Sequence, residues 1–450
     1  MRPLGTAAPG VSAVLLPFRH DRRGYFCPEF IGSAPTGENQ TLDLRIVRDI
    51  RIGAREFQLG DIHDFHALHT ALHAQVEKGF LPGVSTALLR GRTVVDQFVC
   101  GHADIEAGVP LREDHLFRVF SNTKLPTSCA VLLLVEDGLL ALDDPIARHL
   151  PAFANPQVLR AGATRIDDVE PARRPITVHH LLTHTAGLSY GLFDPGSLLD
   201  GAYKQSGIHH PLLTQAQFVD QLAALPLAFH PGEGWEYSLA TDVLGRLVEV
   251  VSGQRLGDFL AQRIFGPLGM ADTAFWVPED KRARLTALYG GVDFMDPTLP
   301  GLRRMDSAPY PGAYLSDAPR QTGGGGLVST LGDQVRLVQS LMPGGPTLLR
   351  PETIALMHRN HIAPGQYVRF PNMPAHPGRV FGLGASVLEH PGKYDPPGST
   401  GEVSWGGLAG TVWWINPRLN TAGVLMTQRY FGFGNPYTFE FRHLAYQALA

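Results

Sequence analysis

With 450 residues, 44% hydrophobic and 18% charged, the chain has ample apolar core and the balance of a soluble globular enzyme. Its formal charge of −4 at pH 7 and the lack of a long basic run argue against a nucleic acid or an anionic membrane surface as the main partner. Three cysteines, Cys27, Cys100 and Cys129, are too few for a disulfide framework and fit a reducing compartment.

Residues 1–56 are rich in Arg, Gly and Pro, with a strand-like period only at 42–46, and are expected to form a poorly ordered extension. The apolar stretch 11–18 is short, is broken by Pro17 and has no small-residue cleavage site after it, so a cytoplasmic location is expected. A helix is predicted from Asp61 to Gly79, where Phe65, Leu68, Leu72 and Val76 recur at helical spacing. The runs 84–89 and 94–100, joined by Arg90-Gly91-Arg92, predict a hairpin. A second helix, almost wholly apolar, is predicted from Ser121 to Gly138. It holds the longest apolar run, 130–135, far short of a membrane span.

Between about 146 and 320 several helical patterns alternate with Pro/Gly loops. After Gly323-Gly324-Gly325-Gly326 come a helix at 332–342, strands at 381–388, 411–415 and 422–426, and a closing helix at 439–449. Strands at both ends with helices between them predict one sheet assembled from the two termini around a helical insertion. The expected division is a sheet domain, 57–145 plus 321–450, and a helical domain, 146–320.

The chemical signal is Phe120-Ser121-Asn122-Thr123-Lys124. Ser and Lys three apart at a helix start lie on one face. A serine there sits in the positive field of the helix N-terminus, with free N–H groups nearby to stabilise an oxyanion. A lysine buried by the apolar helix can act as a base, or as a charge that activates its neighbour. Alone, the spacing better suits a capping serine followed by a surface lysine. Two further segments change that balance. One is Pro231-Gly232-Glu233-Gly234-Trp235-Glu236-Tyr237-Ser238-Leu239-Ala240, a loop leading into a helix. The other is Ser404-Trp405-Gly406-Gly407-Leu408-Ala409-Gly410, whose glycines let a substrate approach the backbone.

With these segments the chain resembles the serine β-lactamase and penicillin-binding protein superfamily, most closely the family VIII carboxylesterases. The resemblance runs from about residue 57 to the end and includes Gly138-Leu139-Leu140-Ala141-Leu142-Asp143-Asp144-Pro145, His184-Thr185-Ala186-Gly187-Leu188 and Gly325-Gly326-Leu327-Val328-Ser329-Thr330. It implies an α/β (α+β) fold of the β-lactamase type, an antiparallel sheet flanked by helices plus a mainly helical domain. It implies Ser121 as nucleophile, Lys124 and Tyr237 sharing the proton, and the N–H groups of Ser121 and Leu408 as oxyanion hole. Trp405 stands where lactamases of this kind carry a lysine, and Leu239 where many carry an asparagine. With Gly406, Gly407 and Trp235 they are the expected substrate-binding residues. Pro126, early in the nucleophile helix, is expected to remove a backbone bond and to threaten a kink.

Other motifs carry less. Gly187-Leu188-Ser189-Tyr190-Gly191 matches the G-x-S-x-G elbow, but a helical run precedes it and Asp194-Pro195-Gly196 breaks any helix after it, so Ser189 is read as a loop serine. His63, His66, His69 and His73, and the pair His180 and His184, lack the partners of a zinc site, so no metal or other cofactor is expected. The four-glycine run has no following Lys-Ser or Lys-Thr and is read as a tight backbone passage; Cys129 is read as core. The expected activity is hydrolysis of small-molecule carboxylic esters with short to medium acyl chains. The rivals are a β-lactamase or D-amino-acid peptidase, an acyltransferase, and a non-catalytic binding relative, which would not need Ser121, Lys124 and Tyr237 together.

Overall fold

The computed structural model describes residues 64–293, 296–370, 374–432 and 435–450. The expected extension 1–56, with Cys27 and the strand-like piece at 42–46, lies outside the described residues, as does His63. Among the described residues, eight strands form one antiparallel sheet. Their order is Arg379–Phe381, Ser386–Leu388, Val403–Gly406, Val412–Asn416, Thr421–Thr427, Gly83–Arg90, Thr93–Asp104 and Val109–Pro110.

The early strand Gly83–Arg90 pairs with the late strand Thr421–Thr427 from Val84 opposite Thr427 to Arg90 opposite Thr421, so the sheet closes from both ends of the sequence. Both strands are buried on both faces, which is why they read as continuous apolar runs. Side-chain alternation sends Val84, Leu88 and Leu425 to one cluster with the helices His66–Glu77 and Pro436–Leu449. Ala87, Leu89, Ala422 and Val424 face the main core, which holds Leu125, Cys129 and Leu132 of the helix Lys124–Glu136. That helix is apolar all round because it runs through the main core, against the helices Ala240–Ser252 and Leu256–Leu260. The segment between carries shorter helices such as Leu198–Ser206 and Gln215–Ala223, capped by Ser197 and Thr214.

Several expectations need correction. The helix of the nucleophile begins at Lys124, and Ser121 lies in a preceding 3₁₀ turn, Phe120–Thr123. Pro126 is therefore the third helical residue, where its missing N–H costs no ladder bond, and the helix runs on continuously. The single strand expected at 381–388 is two strands, reversed by a turn in which Gly384 has φ +96° and Gly382 N–H bonds to the Ala385 carbonyl at 2.8 Å. Trp405 and Gly406 belong to a strand, Val403–Gly406, and do not merely precede one.

A buried ion cluster fixes this last strand. Glu402 is fully buried and accepts from Arg442 Nη2 at 2.9 Å and from Tyr446 Oη at 2.9 Å. Arg379 reaches both Ser404 Oγ (3.1 Å) and Asp395 (3.1 Å), and His376 reaches Asp395 at 2.6 Å. Burial works against ionising Asp395, but His376, Arg379 and Arg442 together hold its carboxyl down to about 2. A depressed carboxylate stabilises the fold above its unfolded value, and that contribution is lost as pH falls through about 2. Asp395→Asn is expected to cost about 2–3 kcal/mol near pH 7. The difference from the wild type should shrink steadily below pH 4 in urea titrations. A difference that stays constant down to pH 3 would show that packing, not charge, is what the substitution removes.

Candidate active site

Ser121 stands at the entrance to the 3₁₀ turn, and the turn is set by an unusual neighbour. Phe120 has φ +42°, a left-handed conformation costly for a bulky side chain, and its ring is held edge-on by Tyr314 (6.2 Å) and Tyr430 (5.7 Å). The first bond of the turn runs from Asn122 N–H to the Val119 carbonyl at 3.0 Å, so the Ser121 N–H precedes the ladder. Leu408 N–H likewise makes no backbone bond among the described residues, and Leu408 and Ser121 line one cavity.

Two groups converge on the Ser121 hydroxyl. Tyr237 Oη lies 2.7 Å from Ser121 Oγ, and Lys124 Nζ lies 3.3 Å from it. Lys124 is buried, as its helix requires, and its Nζ also donates to Tyr190 Oη at 2.9 Å and to the Gly324 carbonyl at 2.6 Å. Three acceptors match the three donors of an ammonium group. The same Nζ sits 4.8 Å from the Tyr237 ring centre and 5.2 Å from that of Tyr190. Trp405 Nε1 donates to Tyr237 Oη at 3.2 Å.

Tyr237 is held from several sides. The His184 ring lies edge-on to it at 5.0 Å and bonds through Nδ1 to Ser238 Oγ at 3.0 Å. Burial, reinforced by the Lys124 charge, keeps His184 well below the ordinary imidazole value, so it is neutral at pH 7. Tyr190 packs on Tyr237 at 5.0 Å, and burial, with Tyr237 and Asp242 beside it, raises its phenol well above the ordinary value. At Gly324 a methyl group would overlap the Asp242 carboxylate and crowd Tyr190 Oη, so only glycine brings the carbonyl to Lys124.

The cavity around Ser121 holds about 460 Å³ and is mostly apolar, with Leu239, Leu408, Phe193 and Phe275 in its wall. The expected residues are thus distributed unevenly. Ser121, Lys124 and Tyr237 meet within hydrogen-bond reach, and Leu239 and Leu408 line their cavity. Trp405 acts on Tyr237, and Gly407 packs against the Val119 backbone behind the serine turn. Gly406 packs on the Thr411 carbonyl. Trp235 is buried and lines a neighbouring cavity of about 450 Å³ with Ser189 and Phe370. Ser189 is buried too; its Oγ accepts from Gly191 N–H at 3.0 Å. His69 bonds Asp96 at 2.9 Å, and His180 caps its own helix at Thr177. No group of three metal-ligating side chains converges among the described residues. The sequence reading missed Tyr190, Gly324 and Asp242.

The family model described as Beta-lactamase matches residues 68–447. Protein Rv1367c of Mycobacterium tuberculosis is 36% identical over 353 residues, spanning 76% of this chain and 84% of its own. Esterase EstB of Burkholderia gladioli is 34% identical over 382 residues, spanning 81% and 91%. Among solved structures, EstCE1, described as a hydrolase with promiscuous acyltransferase activity, superposes with a TM-score of 0.72 at 28% identity, covering 84% of this chain and 97% of its own.

Proposed function

The chain belongs to the β-lactamase family, and on that premise we propose that it is a serine carboxylesterase working through an acyl-enzyme on Ser121. The observation that carries this is the convergence of Tyr237 Oη and Lys124 Nζ on one serine oxygen at the wall of an apolar cavity. Lys124 and Tyr237 act as one proton-transfer unit, and the Trp405 indole N–H supports the Tyr237 oxygen. Ser121 Oγ attacks the ester carbonyl as its proton passes to Tyr237 Oη. The carbonyl oxygen, now an anion, takes the N–H groups of Ser121 and Leu408. Collapse breaks the C–O bond, and Tyr237 returns the proton to the leaving alkoxide. Water repeats the cycle on the acyl-enzyme and releases the acid.

The similarity to an enzyme named an esterase, and to one described as a hydrolase, supports ester cleavage as the reaction class. The acyltransferase activity described for EstCE1 supports a second outcome, in which an alcohol replaces water as acyl acceptor. Burial pushes the thiols of Cys100 and Cys129 up, so neither competes as a nucleophile. With so few cysteines, a cytoplasmic setting belongs to the same reading. Among the described residues no helix is long and apolar enough to cross a membrane.

The test is covalent. A fluorophosphonate probe should attach to Ser121, located by digestion and mass spectrometry, and Ser121→Ala should abolish both labelling and ester turnover. An adduct on Ser189 in place of Ser121 would overturn the assignment.

A further inference from the structure

The wall of the Ser121 cavity carries a cation that the reaction does not use. Arg320 is half-buried there; one of its N–H groups bonds the Ile208 carbonyl at 2.8 Å, and its guanidinium lies over the Phe218 ring at 4.6 Å. No carboxylate comes within ion-pair distance of it among the described residues. Asp242, the acidic side chain of the same wall, accepts from Gly324 N–H at 3.2 Å and acts on Arg320 only through space. Burial pushes the Arg320 guanidinium below its ordinary value, and Asp242 and Tyr310 offset that only in part, the mark of a cation taken from water without full compensation. The same wall also carries Phe218, Pro211 and Tyr310, and the His209 imidazole, which burial and the Arg320 charge hold below its ordinary value.

A half-buried guanidinium with spare donors, in a mostly apolar cavity, gains most from a planar anion. We propose that Arg320 is an anion-binding determinant that selects esters bearing a second, ionised carboxylate away from the scissile bond. This rests on the esterase reading of Ser121. Arg320 does not touch Ser121, Lys124 or Tyr237; its contacts are with Ile208 and Phe218, so it bears on which ester is bound and not on the proton transfer. The carboxylate belongs either to the acyl part or to the alcohol part, and each has its own substrate pair.

The acyl pair is p-nitrophenyl hydrogen adipate against p-nitrophenyl hexanoate; the alcohol pair is the butyrate ester of 4-hydroxybenzoate against phenyl butyrate. In one pair, Arg320→Gln should lower the charged-to-neutral ratio of kcat/KM by about ten- to a hundredfold, and Arg320→Lys by less. On the unaltered protein, adipate should inhibit p-nitrophenyl butyrate hydrolysis competitively, more strongly than hexane-1,6-diol, and less so as salt rises. That arm decides alone if the glutamine variant does not fold. Ratios unchanged in both pairs, or adipate no better than the diol, overturn the subsite. A wild type that cleaves none of the esters and leaves Ser121 unlabelled overturns the esterase reading itself, and the subsite with it.

Discussion

Lys124→Ala and Tyr237→Phe should each lower kcat on p-nitrophenyl butyrate by about 10²- to 10⁴-fold, and the double variant should fall little further than the worse single one. The reason is geometric. Tyr237 Oη and Lys124 Nζ address the same Ser121 oxygen, at 2.7 and 3.3 Å, and the lysine charge lies 4.8 Å from the tyrosine ring. Tyr237 without the lysine loses the second group of its proton-transfer unit, and Lys124 without the tyrosine leaves the Ser121 oxygen without its closer partner. Removing either group therefore removes one function. Four proteins, assayed for kcat beside thermal melts that establish folding, complete the cycle. Lys124→Ala also strips a donor from Tyr190 Oη and the Gly324 carbonyl, so its melt should fall while that of Tyr237→Phe holds closer to the wild type. Losses that multiply in the double variant would separate the two residues into independent roles.

How far the sequence reached follows from the range over which each feature is encoded. Ser121 and Lys124 are one turn apart, so their meeting is local and their burial follows from the apolar helix that carries them. The sheet closing from both ends was legible because the strands Gly83–Arg90 and Thr421–Thr427 are apolar on both faces. Tyr237 sits 116 positions from Ser121, and only its family resemblance connects the two.

Tyr190 lay beside a serine that drew the attention of the G-x-S-x-G pattern, and nothing local marks its hydroxyl as the partner of a lysine 66 positions away. The four glycines were rightly read as a close backbone passage, yet the reason, the Asp242 carboxylate and Tyr190 hydroxyl against Gly324, exists only after folding. The strand Val403–Gly406 was missed because Ser404 and Gly406 weaken its pattern, and its pairing with Ser386–Leu388 and Val412–Asn416 joins segments that nothing local connects, beside the ion cluster of Arg379, Asp395, Glu402 and Arg442.

Against a chromogenic cephalosporin, p-nitrophenyl butyrate should show a kcat/KM higher by about 10² or more, and p-nitrophenyl palmitate should fall below the butyrate. A lactam asks two things of the site that a simple ester does not. Its amide needs a polar partner beside the serine, and the carboxylate on its fused ring needs a cation there. Leu239 fills one of the neighbouring positions with an apolar wall. The Trp405 indole occupies the other, and its N–H is already committed to Tyr237 Oη. Lys124 spends its donors on Ser121, Tyr190 and Gly324, and Arg320 lies over Phe218 and bonds Ile208 instead of standing beside the serine. Each group left unpaired in the closed site costs roughly 1–3 kcal/mol, so two of them together account for the expected gap. The leaving group widens it, because an amine must be protonated as it departs whereas a p-nitrophenolate leaves unaided. Palmitate is the other limit: a chain of that length overfills a cavity of about 460 Å³ once the carbonyl is seated at Ser121. A cephalosporin value equal to or above that of the butyrate would reverse the assignment toward lactams, and a palmitate optimum would remove the chain-length limit alone.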